Sequence, residues 1–258
     1  MKTTIRLIAV LAAVFTMTAC VPDTDLAGYA WTSSGYYYED GERADYEFAL
    51  VCTSANSGTL FVSMTYDSDP VGMCLAMPFT YTWDDNHGTA TATLEFPEDL
   101  KGRRGIAKGT YTFTINMSYT KTEGLVVSSS DIERMLEFPC TNMGLSKKDY
   151  AKPSAMTGTH WTMEFDYSYD GMDSEESTHY LYELEFVSAT AAVLNLGMTE
   201  EGDEAENMRW NVNYTYSGGV GHTSIYDEGM TVNGGFYMPD ADHMTFTDGM
   251  NRLNLVKQ

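Results

Sequence analysis

The 258 residues include 37 Asp and Glu against 15 Lys and Arg, a formal charge of -22, with 43% hydrophobic and 13% aromatic residues. Such a charge repels phosphate and excludes nucleic acid or an anionic lipid surface as a partner of the folded body. The apolar content excludes a wholly disordered chain, and the length fits one large or two small domains.

At the N-terminus, Lys2 and Arg6 precede an apolar run over 7–15. That is the order of a secretory leader, and the run is too short to cross a bilayer as a permanent helix. It ends in Met17-Thr18-Ala19-Cys20, which resembles the lipobox of bacterial lipoproteins, with Met17 where Leu is usual. The resemblance implies a signal peptide over 1–19, acylation of Cys20 and a tether over 20–27; an ordinary leader with a chance Cys is the alternative. By resemblance to enterobacterial sorting, Val21 implies the outer membrane, and Asp23 and Asp25 resemble the export signals of surface lipoproteins in the Bacteroidota. The expected address is therefore the cell envelope, as an outer-membrane lipoprotein facing the periplasm or the outside. With Lys2 and Arg6 gone, 13 basic residues face 37 acidic ones, so contact with the membrane is expected through the lipid anchor only.

Beyond the tether the pattern is of period two, which buries one face of a strand and wets the other. Tyr46, Phe48, Leu50 and Cys52 share a face, then Leu60, Val62, Met64 and Tyr66, with Asn56-Ser57-Gly58 as the hairpin connection. Phe79, Tyr81 and Trp83 alternate with Thr80 and Thr82. Tyr111, Phe113, Ile115, Met117 and Tyr119 alternate with Thr110, Thr112, Thr114, Asn116 and Ser118, placing β-favouring Thr outside. Ser130-Asp131-Ile132-Glu133 has the form of a helix capping box, yet its counterpart Asp248-Gly249-Met250-Asn251 reads as a turn, so the expectation is a turn followed by a strand, with a short helix as the alternative. The segment 141–157, with Lys147, Lys148, Lys152 and Pro153 and no alternation, is expected to be a linker.

The second half repeats the first, which defines the fold unit. Trp31-Thr32 matches Trp161-Thr162, the heptad Tyr46 to Cys52 aligns without gaps to Tyr182 to Ser188, and Tyr81-Thr82-Trp83 answers to Tyr214-Thr215-Tyr216. Asp131, Leu136 and Phe138 fall opposite Asp248, Leu253 and Leu255 at the same spacing. Two all-β domains over 28–140 and 158–258 are expected, each an antiparallel meander. Its edges and apolar face must be covered, by closure into an up-and-down barrel, the favoured form, or by a two-sheet sandwich. The openings Gly28-Tyr29-Ala30-Trp31 and Gly158-Thr159-His160-Trp161, each followed by a meander, resemble the lipocalin-like lipoproteins of Bacteroidota, here in tandem.

Chemistry-bearing residues are sparse. Cys52, Cys74 and Cys140 are odd in number, so they cannot all pair; Cys52 is expected in the core, and one disulfide among the three is the alternative. His87, His160, His179, His222 and His243 show no zinc-ligand spacing. The acid clusters Asp67-Ser68-Asp69, Asp84-Asp85-Asn86, 170–176 and 200–206 match no EF-hand loop and read as solvated turns, with a calcium site as the alternative. No Gly-x-Ser-x-Gly, Ser-x-x-Lys, His-Glu-x-x-His or phosphate-cradling loop occurs. The expectation is a non-enzymatic binding or accessory protein of the envelope, without cofactor or metal, holding a small apolar molecule or a glycan. Trp31, Tyr81, Trp83, Trp161, Tyr214 and Tyr216 are its candidate ligand contacts, and Ala90 and Ala92 leave room for a pocket. A structural or protein-interaction module is the alternative, and glycoside hydrolysis by a carboxylate pair is the third reading.

Overall fold

The computed structural model of the protein describes residues 24–39, 41–67, 69–96, 108–168, 177–200, 205–227 and 229–258. The leader and Cys20 lie outside them. In chain order the first half forms β1 (Ala30–Glu39), β2 (Glu42–Cys52), β3 (Ser57–Tyr66), β4 (Asp69–Asp84), β5 (His87–Phe96), β6 (Gly109–Thr120), β7 (Gly124–Ser128), α1 (Ser130–Leu136) and β8 (Met143–Lys148). The second forms β9 (His160–Ser168), β10 (Ser177–Phe186), β11 (Ala191–Glu200), β12 (Glu206–Ser217), β13 (Val220–Asp227), β14 (Met230–Tyr237), β15 (His243–Thr247) and β16 (Arg252–Lys257). Each strand pairs antiparallel with the next, and the pairings β1–β8 and β9–β16 close two eight-stranded barrels. Closure leaves no edge strand to cover, which a sandwich would. The apolar face is inside and the Thr-rich face of β6 outside, the reverse of a transmembrane barrel.

The two barrels are sealed alike where β1 and β9 begin. Gly28 and Gly158, at φ +80° and +81°, turn the chain into the first strand in the left-handed region that glycine tolerates best. Each donates its N–H at 2.7 Å to the last residue of the second strand, Cys52 or Phe186. Just before the turn, Leu26 and Met156 are buried as plugs of that end. Residues 24–27, expected as tether, thus belong in part to the barrel, and the Trp83 indole N–H holds the carbonyl of Thr24 at 2.8 Å.

Four sequence expectations change. Trp31 pairs with Leu50 and Trp161 with Leu184, so Tyr46 corresponds to Tyr180 and Cys52 to Phe186, two residues off the gapless alignment. A slip of two preserves the side-chain face, which is why alternation does not reveal it. Ser130-Asp131-Ile132-Glu133 is helical: Ser129, in extended conformation, accepts from the Ile132 N–H, Ile132 and Leu136 face the core, and Glu137 in the left-handed region ends the helix. Leu136 and Phe138 therefore do not correspond to Leu253 and Leu255. That role falls to Met143 and Leu145, because Val127↔Met143 and Leu125↔Leu145 match Phe246↔Leu253 and Met244↔Leu255. Finally, the presumed linker holds β8, and of its remainder Tyr150 is buried and Ala151 bridges Met238.

The barrels lie side by side and point the same way. Gly218 packs against Thr53 at the sealed ends, and Met73 bridges Asn251 at the opposite ends. Between them Ala30, Ala49, Val51, Phe61, Cys74, Ala76, Tyr150, Val220 and Tyr237 form a dry cluster. In β2 and β3 the runs Phe48 to Cys52 and Gly58 to Met64 are buried at every position, one face in barrel one and the other on barrel two. Glu47 sits at the centre of this interface. It pairs with Arg252 and accepts from the Tyr237 hydroxyl at 3.0 Å, and Thr247 Oγ1 donates to the Cys74 carbonyl at 2.6 Å.

Candidate functional site

The six aromatics singled out in the sequence divide three to a barrel, and all lie toward the sealed ends. Trp31, Tyr81, Trp161 and Tyr214 are buried; Trp83 and Tyr216 are half-buried. Their polar atoms are engaged within the protein. The indole N–H groups of Trp31 and Trp161 donate to Leu26 O and Thr159 Oγ1. The Tyr81 and Tyr214 hydroxyls each donate at 2.7 Å to the carbonyl of an equivalent turn residue, Ser54 and Ser188. The Tyr216 hydroxyl donates to Pro153 O. These residues close the barrels, and they do not converge on one platform. Nor do Ala90 and Ala92 leave a pocket: Tyr81 and Ile115 flank the first, Phe79 and Phe113 the second, and all six are buried.

At the other end the barrels differ. Between β7 and β8, barrel one carries α1 and Phe138, whose ring meets Tyr46 at 5.5 Å and Phe48 at 6.0 Å. The helix is pinned across the mouth because Asp131 accepts the Thr114 N–H at 3.0 Å and Glu133 accepts the Cys140 N–H at 3.2 Å. Gly35 supplies the space for the Tyr46 ring, since a Cβ there would lie 2.7 Å from its hydroxyl oxygen. The Tyr37 hydroxyl reaches Met64 Sδ at 3.0 Å. Barrel one is filled from end to end.

Barrel two joins β15 to β16 by the short turn Asp248-Gly249-Met250-Asn251, with Asp248 capping the N–H groups of Met250 and Asn251, and nothing corresponding to α1 or Phe138 is among the described residues. Phe165 stands where barrel one has Gly35. Its ring stacks on Tyr180 at 5.1 Å and 10°, and beside Tyr182 at 6.4 Å and 16°. Met163, Met198, Trp210, Met230 and Val232 continue this inward-facing ring from neighbouring strands, all half-buried, with Met208 39% exposed at the rim. Register places these side chains inside: Leu194↔Trp210, Leu196↔Met208 and Ile225↔Val232 join the same rows as buried Leu184 and Leu253. Among the described residues these side chains leave the inward rows at this end of barrel two partly exposed, an aromatic and methionine-lined cup.

One polar atom lies below the cup. Thr223, 4% exposed and paired across to Tyr214 and Gly234, turns its side chain into the barrel, and its Oγ1 is the one buried side-chain polar atom among the described residues that has no partner. An unpaired buried hydroxyl costs about 1–3 kcal/mol, and a ligand carrying a polar group at its inner end would satisfy it.

The other candidate groups are accounted for locally. Cys52, Cys74 and Cys140 are buried free thiols, each pushed up to about 12 chiefly by burial. Each histidine has its own partner: His87 the Asp85 carbonyl, His160 Glu183, His179 Asp166, His243 Asp240 and His222 the Thr59 hydroxyl. Asp84-Asp85-Asn86 is the β4–β5 turn, with Asp85 and Asn86 in the left-handed region of a primed hairpin. The acids of 170–176 and 201–204 lie outside the described residues, as does Ser68. Among the described residues no three His, Cys, Asp or Glu side chains are placed to hold a metal ion.

Comparison with known proteins finds no matching family model, no matching curated protein and no matching solved structure. The cup residues do not stand out in the sequence, because they alternate like any other inward row. The available signal was the change from Gly35 to Phe165 within an otherwise repeated β1, together with the shorter connection before β16.

Proposed function

We propose that the protein is a lipid-anchored, non-catalytic binding protein of the cell envelope, similar to the lipocalin-like lipoproteins of Bacteroidota, in which barrel two receives a small apolar ligand and barrel one is its rigid support. The observation that carries this is the unequal end of two otherwise matching barrels: Phe138 and α1 fill the first, while Phe165, Tyr180, Tyr182 and Trp210 line the second half-exposed. Binding sites of this kind are concave, mostly apolar and furnished with few polar groups. The anchor agrees with the geometry. Three residues separate Cys20 from Thr24, a reach of at most about 14 Å, and Thr24 lies at the sealed end. Acylation of Cys20 would hold the sealed ends toward the bilayer and turn the cup away from it.

Titration of the mature chain with the neutral fluorophore N-phenyl-1-naphthylamine, read by the quenching of tryptophan fluorescence that is lost in Trp210→Phe, tests the proposal. Saturable quenching that weakens about tenfold in Phe165→Ala supports it; absence of saturable binding, or binding indifferent to that substitution, overturns it. A protein-interaction role is favoured by a different feature. Tyr36 and Tyr38, 60% and 68% exposed, meet edge to face at 6.1 Å on the outer surface of β1, with Arg43 over Tyr36. Exposed Tyr and Arg together are typical of interface anchors.

A further inference from the structure

Besides the cup, one cavity exists only because the two barrels are joined. It is a cleft of about 460 Å³ between the outer faces of β3, β4 and β5 on one side and of β12 and β13 on the other. The barrel-one wall is a ladder of hydroxyls: Ser57 pairs with Thr80 and Thr80 with Thr91 across adjacent strands. The next row places Thr59 beside Pro78. Barrel two contributes the cross-strand pair Thr215 and His222, and the His222 Nε2 lies 3.2 Å from the Thr59 hydroxyl, joining the walls. Val220, buried in the interface cluster, forms part of the lining.

In a chain of formal charge -22, no carboxylate, ammonium or guanidinium is among the described residues that line this cleft. An ionic ligand would be desolvated there without a counter-charge. Hydroxyls both donate and accept, so the walls match a ligand whose own groups do both. Hydroxyls on adjacent strands recur at about 4.8 Å, comparable to the separation of hydroxyls on alternate carbons of a pyranose ring. Exposed Pro78 offers a flat apolar surface for the C–H face of such a ring. Burial also lowers the His222 pKa, which keeps its imidazole neutral and able to donate at one nitrogen and accept at the other.

We infer that this inter-barrel cleft is a binding site for a neutral saccharide, formed by the hydroxyl ladder Ser57–Thr80–Thr91 facing Thr215 and His222. It is independent of the cup in barrel two, and either can fail without the other. The test uses the mature two-barrel chain with cellobiose, maltose, lactose and N,N′-diacetylchitobiose as neutral probes and digalacturonate as the charged one. Binding is followed by the ring resonances of His222 in ¹H–¹³C spectra. At least one neutral disaccharide is expected to shift them saturably, digalacturonate is not, and Thr80→Val with Thr91→Val weakens that binding about tenfold. Thr199→Val, outside the cleft, leaves it unchanged, and thermal melting of both variants verifies the fold. No shift with any neutral probe at 20 mM (about the weakest affinity worth a site), equal binding of digalacturonate, or indifference to the double substitution would overturn the assignment.

Discussion

Barrel one and barrel two share strand order, the glycine turn, the plug residue and the tyrosine that ties β4 to the β2–β3 turn and β12 to the β10–β11 turn, yet among the described residues only barrel one carries a closure at both ends. The difference rests on two local changes. Residues 129–142 place a capped helix and Phe138 across the first mouth, where four residues, Asp248 to Asn251, suffice in the second. Conversely, Gly35 makes room for an inward-lying Tyr46, while Phe165 at the matching place stacks on Tyr180 and holds it in the opening. A repeated fold can therefore divide its labour: one copy keeps a filled core and the other keeps a cup.

Several substitutions break or sharpen this contrast. The largest effect is expected for Phe138→Ala, which removes a buried ring from the closed mouth and should cost about 3–5 kcal/mol in urea unfolding, with apolar-probe binding appearing in barrel one. Next, Glu47→Gln removes the charge that holds Arg252 and should cost about 1–3 kcal/mol, discounted because both side chains retain some exposure. If the interface then opens before the barrels melt, iodoacetamide will label Cys74, which lies between the barrels, ahead of Cys52 and Cys140 inside barrel one; in the wild type all three should stay unreactive until global unfolding, since the thiolate is the nucleophile.

Ser129→Ala should cost about 1 kcal/mol by uncapping α1, and Phe165→Ala less than that, because its ring is only half-buried. The smallest effect concerns pH. Burial lowers the His222 pKa from 6.5, so as pH falls the unfolded chain takes up that proton first. The stability contributed by the neutral ring is complete above the unfolded value and is lost as pH drops toward the lowered one. His222→Gln should flatten the fall in the urea midpoint between about pH 7 and 5.

Alternation discloses the strands, because period two translates directly into an inner and an outer face, whereas the duplication is carried by repeated landmarks such as Trp31-Thr32 and Trp161-Thr162, and closure by the need to cover strand edges. Register is less legible: a shift of two leaves every side chain on its face, and the pairings of Trp31 with Leu50 and Trp161 with Leu184, together with the hydrogen bonds of Gly28 and Gly158, settle which residues correspond. Helix α1 has a capping signal one residue from its true N-cap, Ser129, and the turn-like Asp248-Gly249-Met250-Asn251 opposite it in the second copy argues misleadingly for a turn, because the two mouths are built differently. The interface has a sequence signal of its own. Phe48-Ala49-Leu50-Val51-Cys52 lacks the polar outer residues of an exposed strand, as does Cys74-Leu75-Ala76-Met77, and both runs are buried on two sides. The cup remained hidden because an inward aromatic looks the same whether the space beside it is filled or open.

Photolabelling tests the proposed apolar site most directly. A neutral apolar diazirine probe, activated on the two-barrel protein and mapped by peptide mass spectrometry, should mark Phe165, Tyr180, Met208 and Trp210 and spare the interior of barrel one. Label spread over barrel one, or none at the rim of barrel two, would contradict the division of the molecule into a sealed barrel and a receiving one.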